Sequence, residues 1–306
     1  LPPDIREALL LRQEANKSST AKLTAMVNSA NSDGRVRGTM QFHGAGTGRW
    51  AGRKLQVHNF PRGKYNEHDT NHIFNLINGG NGAEYLELFY DSPLRVISDV
   101  LRSFIIAEPK HRLIWGDWNS IEARILAWLA GEESVLDIFR RGEDVYKYAA
   151  SKIFGVHYSL VTKDQRQIGK VAVLALGYQG GKGAFQAMAK GYGVKMSDKE
   201  ADTIKANWRN GHPNIVKYWH WVERQAILAV RNPGTKFSAG PKGREINYLV
   251  KGSFLFCQLP SKRILTYPYP KIQQVETPWG EMRDAISCME ENSLSRKWER
   301  QLLYGG

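Results

Sequence analysis

Cysteine is scarce in this chain: Cys257 and Cys288 are the only two among 306 residues, they stand far apart, and no CxxC pair occurs. A zinc ribbon and a dithiol redox motif are thereby excluded, and reduced thiols in a cytoplasm are expected. No uncharged apolar run approaches the length that crosses a bilayer. The first residues mix Asp4, Arg6 and Glu7 with apolar positions and show no signal peptide, and a start at Leu1 reads as a cut or processed end. Internal repeats and low-complexity stretches are absent as well. Acidic residues are the other shortage, with 30 Asp and Glu against 43 Lys and Arg and a net charge of +13. Over half of that surplus lies in residues 1–64, where eleven Lys or Arg face only Asp4, Glu7, Glu14 and Asp33. Nine Trp and thirteen Tyr accompany the charge. Basic charge with abundant flat rings suits nucleic acid better than a membrane surface, which would call for an amphipathic basic helix.

At 42% hydrophobic residues the chain can build substantial cores, and its periodicities change along its length. Helices are predicted over 4–16 and 20–27. A strand is predicted over Arg35–Phe42, followed by the glycine-rich Gly44-Ala45-Gly46-Thr47-Gly48-Arg49-Trp50. Residues 78–84 read as a loop, 93–105 as a helix, and Leu113-Ile114-Trp115 as a short buried strand before Asp117. A helix over 120–130 has Asn119 placed as its cap, Glu122 placed to reciprocate, and Gly131 to stop it. Residues 133–230 read as mainly helical with boundaries at Pro213 and Pro233. Strands are predicted beyond, at 246–250 and 263–267. A helical region interrupting strand-bearing segments predicts a mixed α/β (α+β) architecture.

Two segments can carry chemistry. Asp117, on the predicted strand-to-helix turn, is a carboxylate of the kind that holds Mg²⁺ together with substrate phosphates, although an isolated Asp in such a turn also serves as an ordinary turn residue. In Arg166-Gln167-Ile168-Gly169-Lys170-Val171-Ala172-Val173-Leu174-Ala175-Leu176-Gly177-Tyr178, cations at i and i+4 share a helical face, with Leu174 and Tyr178 continuing the row. Two fixed cations can hold a triphosphate, with the apolar Leu174 towards the sugar and Tyr178 towards the base. A solvated charge pair has the same spacing. Gly181-Lys182 lacks the first glycine and the Ser/Thr of a phosphate loop.

In order and spacing, Gly116-Asp117-Trp118-Asn119-Ser120-Ile121-Glu122-Ala123-Arg124 and the Arg166–Tyr178 row resemble the first two polymerase motifs of family A DNA polymerases. Thr47-Gly48-Arg49 and His58-Asn59-Phe60-Pro61 are similar to further elements of that family, as are Glu143-Asp144-Val145-Tyr146 before Phe154-Gly155 and Asn214-Ile215-Val216 after Pro213. The likeness runs from about residue 5 to 271 and is strongest to the phage and prophage branch. It implies a right-hand polymerase fold: the end of a thumb in 1–32, the first part of a palm in 33–132, fingers in 133–235, and a return to the palm in 236–306. It further implies a template-directed DNA polymerase, adding deoxynucleotides to a primer 3′-OH with Mg²⁺. Asp117 and the Trp118 carbonyl would hold metal, and Glu122 would exclude a ribose 2′-OH. Arg166 and Lys170 would hold the triphosphate, Leu174 would pack on its sugar, and Tyr178 would guard the template position. Arg49, Gln56, Asn59 and, more weakly, Arg263 would contact primer-template DNA. The sequence departs from the family pattern at Leu174, where an aromatic is usual, at Tyr146, where His is common, and at Trp118, which replaces Tyr.

The family's C-terminal His-Asp-Glu motif is not found; His68-Asp69 precedes Asp117, and Asp284 lacks the pattern. The chain is therefore expected to be an incomplete polymerase fragment, inactive or nearly so by itself. The expected partners are primer-template DNA and deoxynucleoside triphosphates, with no membrane, for a monomer in a bacterial or phage-infected cell. A non-catalytic nucleic-acid-binding module and a single-subunit RNA polymerase are the alternatives, and Glu122 as a ribose-excluding gate argues against the second.

Overall fold

The computed structural model describes residues 2–15, 18–45, 47–80, 82–90, 92–277, 280–292 and 295–303. Gly46 of the glycine-rich stretch and the terminal 304–306 lie outside them. The chain divides into two compact units, Leu1–Gly116 and Asp117–Gly306.

The first unit contains α1 (Pro3–Ala15), α2 (Ser18–Ser29), the short hairpin β1 (Met40–Gln41) and β2 (Ala51–Gly52), then α3 (Glu67–Asn78), α4 (Ala83–Phe89) and α5 (Pro93–Val100). Ile73 and Leu76 on α3, Leu86 on α4, and Val96 and Val100 on α5 form one core; Leu55, Phe60 and Leu101 form another under α2. The first follows the helical spacing of apolar residues on α3 and α5, the second gathers side chains from turns, and full burial of such side chains contributes about 1.5–3 kcal/mol apiece. The strand predicted over Arg35–Phe42 shrinks to Met40–Gln41, with Val36 making only an isolated bridge to Ala30. Gly34 and Gly38 have φ of 75° and 69°, and a left-handed residue at each end of Arg35–Arg37 breaks the extended run. Leu113–Trp115 is neither strand nor buried: Leu113 is 51% exposed, and Ile114 and Trp115 are each 84% exposed. No strand among the described residues pairs with this segment, and apolar composition alone cannot make a strand without a neighbour's N–H and C=O groups.

The second unit opens with seven helices: α6 (Ile121–Ala130), α7 (Glu133–Arg140), α8 (Val145–Phe154), α9 (Lys163–Leu176), α10 (Lys182–Gly191), α11 (Asp198–Gly211) and α12 (Pro213–Arg231). Pro213 is accommodated in the first turn of α12, where its missing N–H costs nothing, and Gly131 ends α6 in the left-handed conformation. Two antiparallel meanders follow. One runs β3 (Phe237–Ala239), β4 (Ile246–Lys251), β5 (Phe254–Gln258) and β6 (Ile264–Pro268); the other runs β7 (Lys271–Glu276), β8 (Met282–Glu291) and β9 (Trp298–Leu303). Alternation along β4 buries Ile246, Tyr248 and Val250, which meet Leu255, Cys257, Ile286 and Cys288 beneath α12. The predicted pairing of helices with a strand-rich end is thus present, and the fold is mixed α+β. Burial raises both thiols, Cys257 and Cys288, to about 11, so they are neutral packing groups at physiological pH.

The expected cap at Asn119 does not form. Ser120 precedes α6 with φ 51° and ψ 35°, away from the extended geometry that aims a capping oxygen at the third residue, and its hydroxyl donates instead to Asn119 Oδ1 at 3.0 Å. Asp117 accordingly lies on a loop-to-helix turn rather than at a strand end.

Candidate active site

Helix α9 carries its two faces at helical spacing. Gly169, Val171, Ala172, Ala175 and Leu176 are buried, while Arg166, Lys170 and Leu174 fall on a partly exposed face. A capping box starts the helix: Gln165 N–H donates to Thr162 Oγ1 at 3.2 Å, and Thr162 N–H donates to Gln165 Oε1 at 3.0 Å. Gly169 lets α9 cross α8 closely, since a Cβ there would lie 2.2 Å from the Tyr146 carbonyl oxygen. Arg166 Nε donates to Asp144 Oδ2 at 2.5 Å, and its guanidinium carbon lies 5.5 Å from the centre of the Tyr146 ring. Lys170 Nζ sits 4.7 Å above the Tyr192 ring. Both cations are therefore steered by short contacts and remain solvent-accessible, the condition for receiving an anion.

The row does not continue as one helical face. Helix α9 stops at Leu176, and Tyr178 lies in the following turn. Gly180 tightens that turn, because a Cβ on it would lie 2.1 Å from the Ala175 carbonyl oxygen. The turn delivers the Tyr178 hydroxyl to Glu122 on the first turn of α6, where it donates to Oε2 at 2.7 Å. Two residues separated by 56 positions are thus joined at one point. Asp117 and Trp118 lie exposed on the segment entering α6, with Trp118 81% exposed.

In the first unit, the loop of the β1–β2 hairpin carries Arg49, which is exposed. Gln56 adopts φ 47° and accepts from Asn59 Nδ2 at 3.1 Å, while Lys22 Nζ donates to the Asn59 carbonyl at 2.9 Å. Gln56 and Asn59 therefore form one polar cluster. Arg263 is placed elsewhere, in the β5–β6 turn, and belongs to the second unit.

Residues 3–229 match the family profile described as DNA polymerase family A. The chain belongs to DNA polymerase family A. It is 40% identical to the DNA polymerase of Bacillus phage SP02 over 307 aligned residues, covering 99% of this chain and 45% of the phage protein. It is 28% identical to DNA polymerase I of Aquifex aeolicus over 160 residues, which are 50% of this chain and 28% of that protein. Among solved structures it is similar to the POL domain of Pol1 from M. smegmatis, in complex with DNA primer-template and dNTP, with a TM-score of 0.51 and 22% identity. That likeness covers 73% of this chain and 33% of the other and concerns the fold. The chain spans less than half the length of each of these relatives.

For a family A chain the metal question turns on carboxylates. An exposed carboxylate at Asp117 next to the Trp118 carbonyl fits part of the oxygen shell of one Mg²⁺, a cation that keeps several waters and takes phosphate oxygens for the rest. Among the described residues no group of three His, Cys, Asp or Glu side chains comes together. Asp284 does not supply a second ligand, because it is paired with Arg231 on α12 and accepts from Gln274. Sequence reading assigned no role to Asp144 or Tyr192, although an Asp directly before an apolar helical run is a legible cap signal.

Proposed function

We propose that this chain forms the nucleotide- and DNA-binding part of a template-directed DNA polymerase, which adds deoxynucleotides to a primer 3′-OH. The single observation that carries the reading is the combination of two steered cations on α9, Arg166 and Lys170, with the hydrogen bond from Tyr178, in the turn that follows α9, to Glu122 on α6. In this reading Arg166 and Lys170 hold the triphosphate by charge-assisted hydrogen bonds, and Leu174 packs on the deoxyribose. Glu122, held by Tyr178, fills the space under the sugar 2′ carbon. Asp117 and the Trp118 carbonyl would hold Mg²⁺, which would supply Lewis-acid charge at the phosphates. Arg49, Gln56 and Asn59 serve the primer-terminal minor groove, where every correct pair offers acceptors in nearly equivalent places. Residues 133–235 correspond to the fingers, 1–32 to the end of the thumb, and 33–132 with 236–306 to the palm.

The chemistry requires the chain to sense the template. On a primer ended by a dideoxynucleotide, the complementary dNTP should tighten the complex of this chain with primer-template DNA about tenfold, and the three other dNTPs should not. Anisotropy titration of labelled DNA measures this. A second reading, a nucleic-acid-binding module without catalysis, is favoured by the engagement of Asp284 by Arg231. That reading predicts the same response to all four nucleotides or none.

A further inference from the structure

Asp144 is the residue Arg166 touches, and it performs two tasks with two different oxygens. As the N-cap of α8, its Oδ1 accepts the backbone N–H of Tyr146 at 2.9 Å and of Lys147 at 3.2 Å. Its Oδ2 accepts from Arg166 Nε. Burial opposes the charge of this carboxyl, yet the Arg166 guanidinium and the two N–H groups outweigh burial and hold it below the usual carboxylate range. The arrangement is fixed by backbone as well as by charge. Helix α9 can pass α8 only because position 169 is glycine, a Cβ there meeting the Tyr146 carbonyl and, at 2.9 Å, the Ala150 nitrogen. Arg166 stands three residues before that crossing, which brings it to the start of α8. Among the described residues Arg166 has Asp144 and the Tyr146 ring as partners, and both contacts leave its terminal nitrogens without a protein acceptor.

We infer that Asp144 is a positioning residue: it holds Arg166 by Nε, so that the two terminal nitrogens are presented already ordered to the phosphates of a nucleoside triphosphate. The inference rests on the nucleotide reading of α9 given above. A long Arg side chain loses rotamer freedom when it binds, and ordering it beforehand removes that loss from the binding step. The carboxylate also repels phosphate, but the pair is partly exposed, at 43% for Arg166 and 32% for Asp144, and solvent screens the repulsion. Ordering therefore outweighs repulsion, and by a modest factor.

The test uses the chain itself and dATP, followed by intrinsic tryptophan fluorescence. Asp144→Asn keeps the cap, since Asn caps as well as Asp, and removes the charge that holds Nε. It should leave Tm within about 2 °C, weaken dATP binding about 3- to 10-fold, and leave binding of deoxyadenosine, which has no phosphate, unchanged. Asp144→Ser, a second capping substitution, should behave alike and serves if the first variant folds poorly. In an Arg166→Ala background Asp144→Asn should add nothing further. Unchanged or tighter dATP binding by Asp144→Asn, losses that add in the double variant, or equal losses for dATP and deoxyadenosine would each overturn the positioning role. If Arg166→Ala alone left dATP binding unchanged, the nucleotide reading of α9 would fail first and take this inference with it.

Discussion

At the scale of single residues, Glu122 and Tyr178 make the sharpest claim, because one hydrogen bond of 2.7 Å ties the proposed sugar gate to a second element. Removing the Glu122 side chain should open room for a 2′-OH. Glu122→Ala should raise the affinity of ATP relative to dATP by about 10- to 100-fold in complexes with primer-template DNA, each 1.4 kcal/mol being tenfold. Tyr178→Phe should give a weaker form of the same change, since it removes one hydrogen bond to Glu122 and keeps the carboxylate itself. Unchanged selectivity in nucleotide competition titrations would remove Glu122 from the sugar site. The spacing of the motif made one placement legible: Arg166, Lys170 and Leu174 do share a face of α9. The contacts that steer them were not. Asp144 and Tyr192 act through neighbouring elements, and the packing of α8 and α10 on α9 depends on close approaches at Gly169 and elsewhere that a linear pattern does not encode.

At the scale of elements, stability should concentrate where helices cross and cap. Gly169→Ala places a methyl group 2.2 Å from a backbone oxygen that cannot rotate away. It should cost about 1–3 kcal/mol, the range for overpacking, and separate α9 from α8. Thr162→Ala removes the α9 capping box and should cost about 1 kcal/mol. Urea denaturation of both variants checks the order, and a Gly169→Ala protein as stable as the parent would contradict the packing of α8 on α9.

The junction of α11 and α12 adds a pH dependence. His212 is 2% exposed, stacks on Trp208 at 4.3 Å, and donates from Nδ1 to the Trp208 carbonyl at 2.7 Å; burial holds its pKa below the ordinary value. The folded chain therefore keeps the ring neutral while the unfolded chain protonates it below about pH 6.5. Stability from this group is full above that pH and falls as pH drops below it, by up to about 1.4 kcal/mol per unit. Urea midpoints between pH 7.5 and 5 measure the slope, and His212→Gln should flatten it. Helices α1, α2, α5 and α6 were legible from apolar spacing and from punctuation by Gly131, and residues 133–230 as a helical region bounded by Pro213 and Pro233, whereas α3 and α4 were not read. The strand expected at Leu113–Trp115 was not, because strand formation depends on a partner that composition does not reveal.

At the scale of the whole molecule, the basic surplus of residues 1–64 should appear as salt-dependent DNA binding. Each neutralised phosphate releases counterion, so the affinity for primer-template DNA should fall with log salt at a slope steeper than about −3. A shallow slope would leave the net charge of +13 without the partner assigned to it. Charge in the sequence pointed to that proposed partner, and the motifs pointed to the family to which the chain belongs. In the reading proposed above, α9 faces a nucleotide and not the DNA backbone. Arg166→Ala and Lys170→Ala test it most directly in one titration series, with primer-template DNA alone and then with the complementary dNTP added. Each substitution should lower dNTP affinity about 10- to 1000-fold while the affinity for DNA alone stays within about twofold. An equal loss of DNA binding in the absence of nucleotide would make α9 a track for the phosphate backbone and not a nucleotide site.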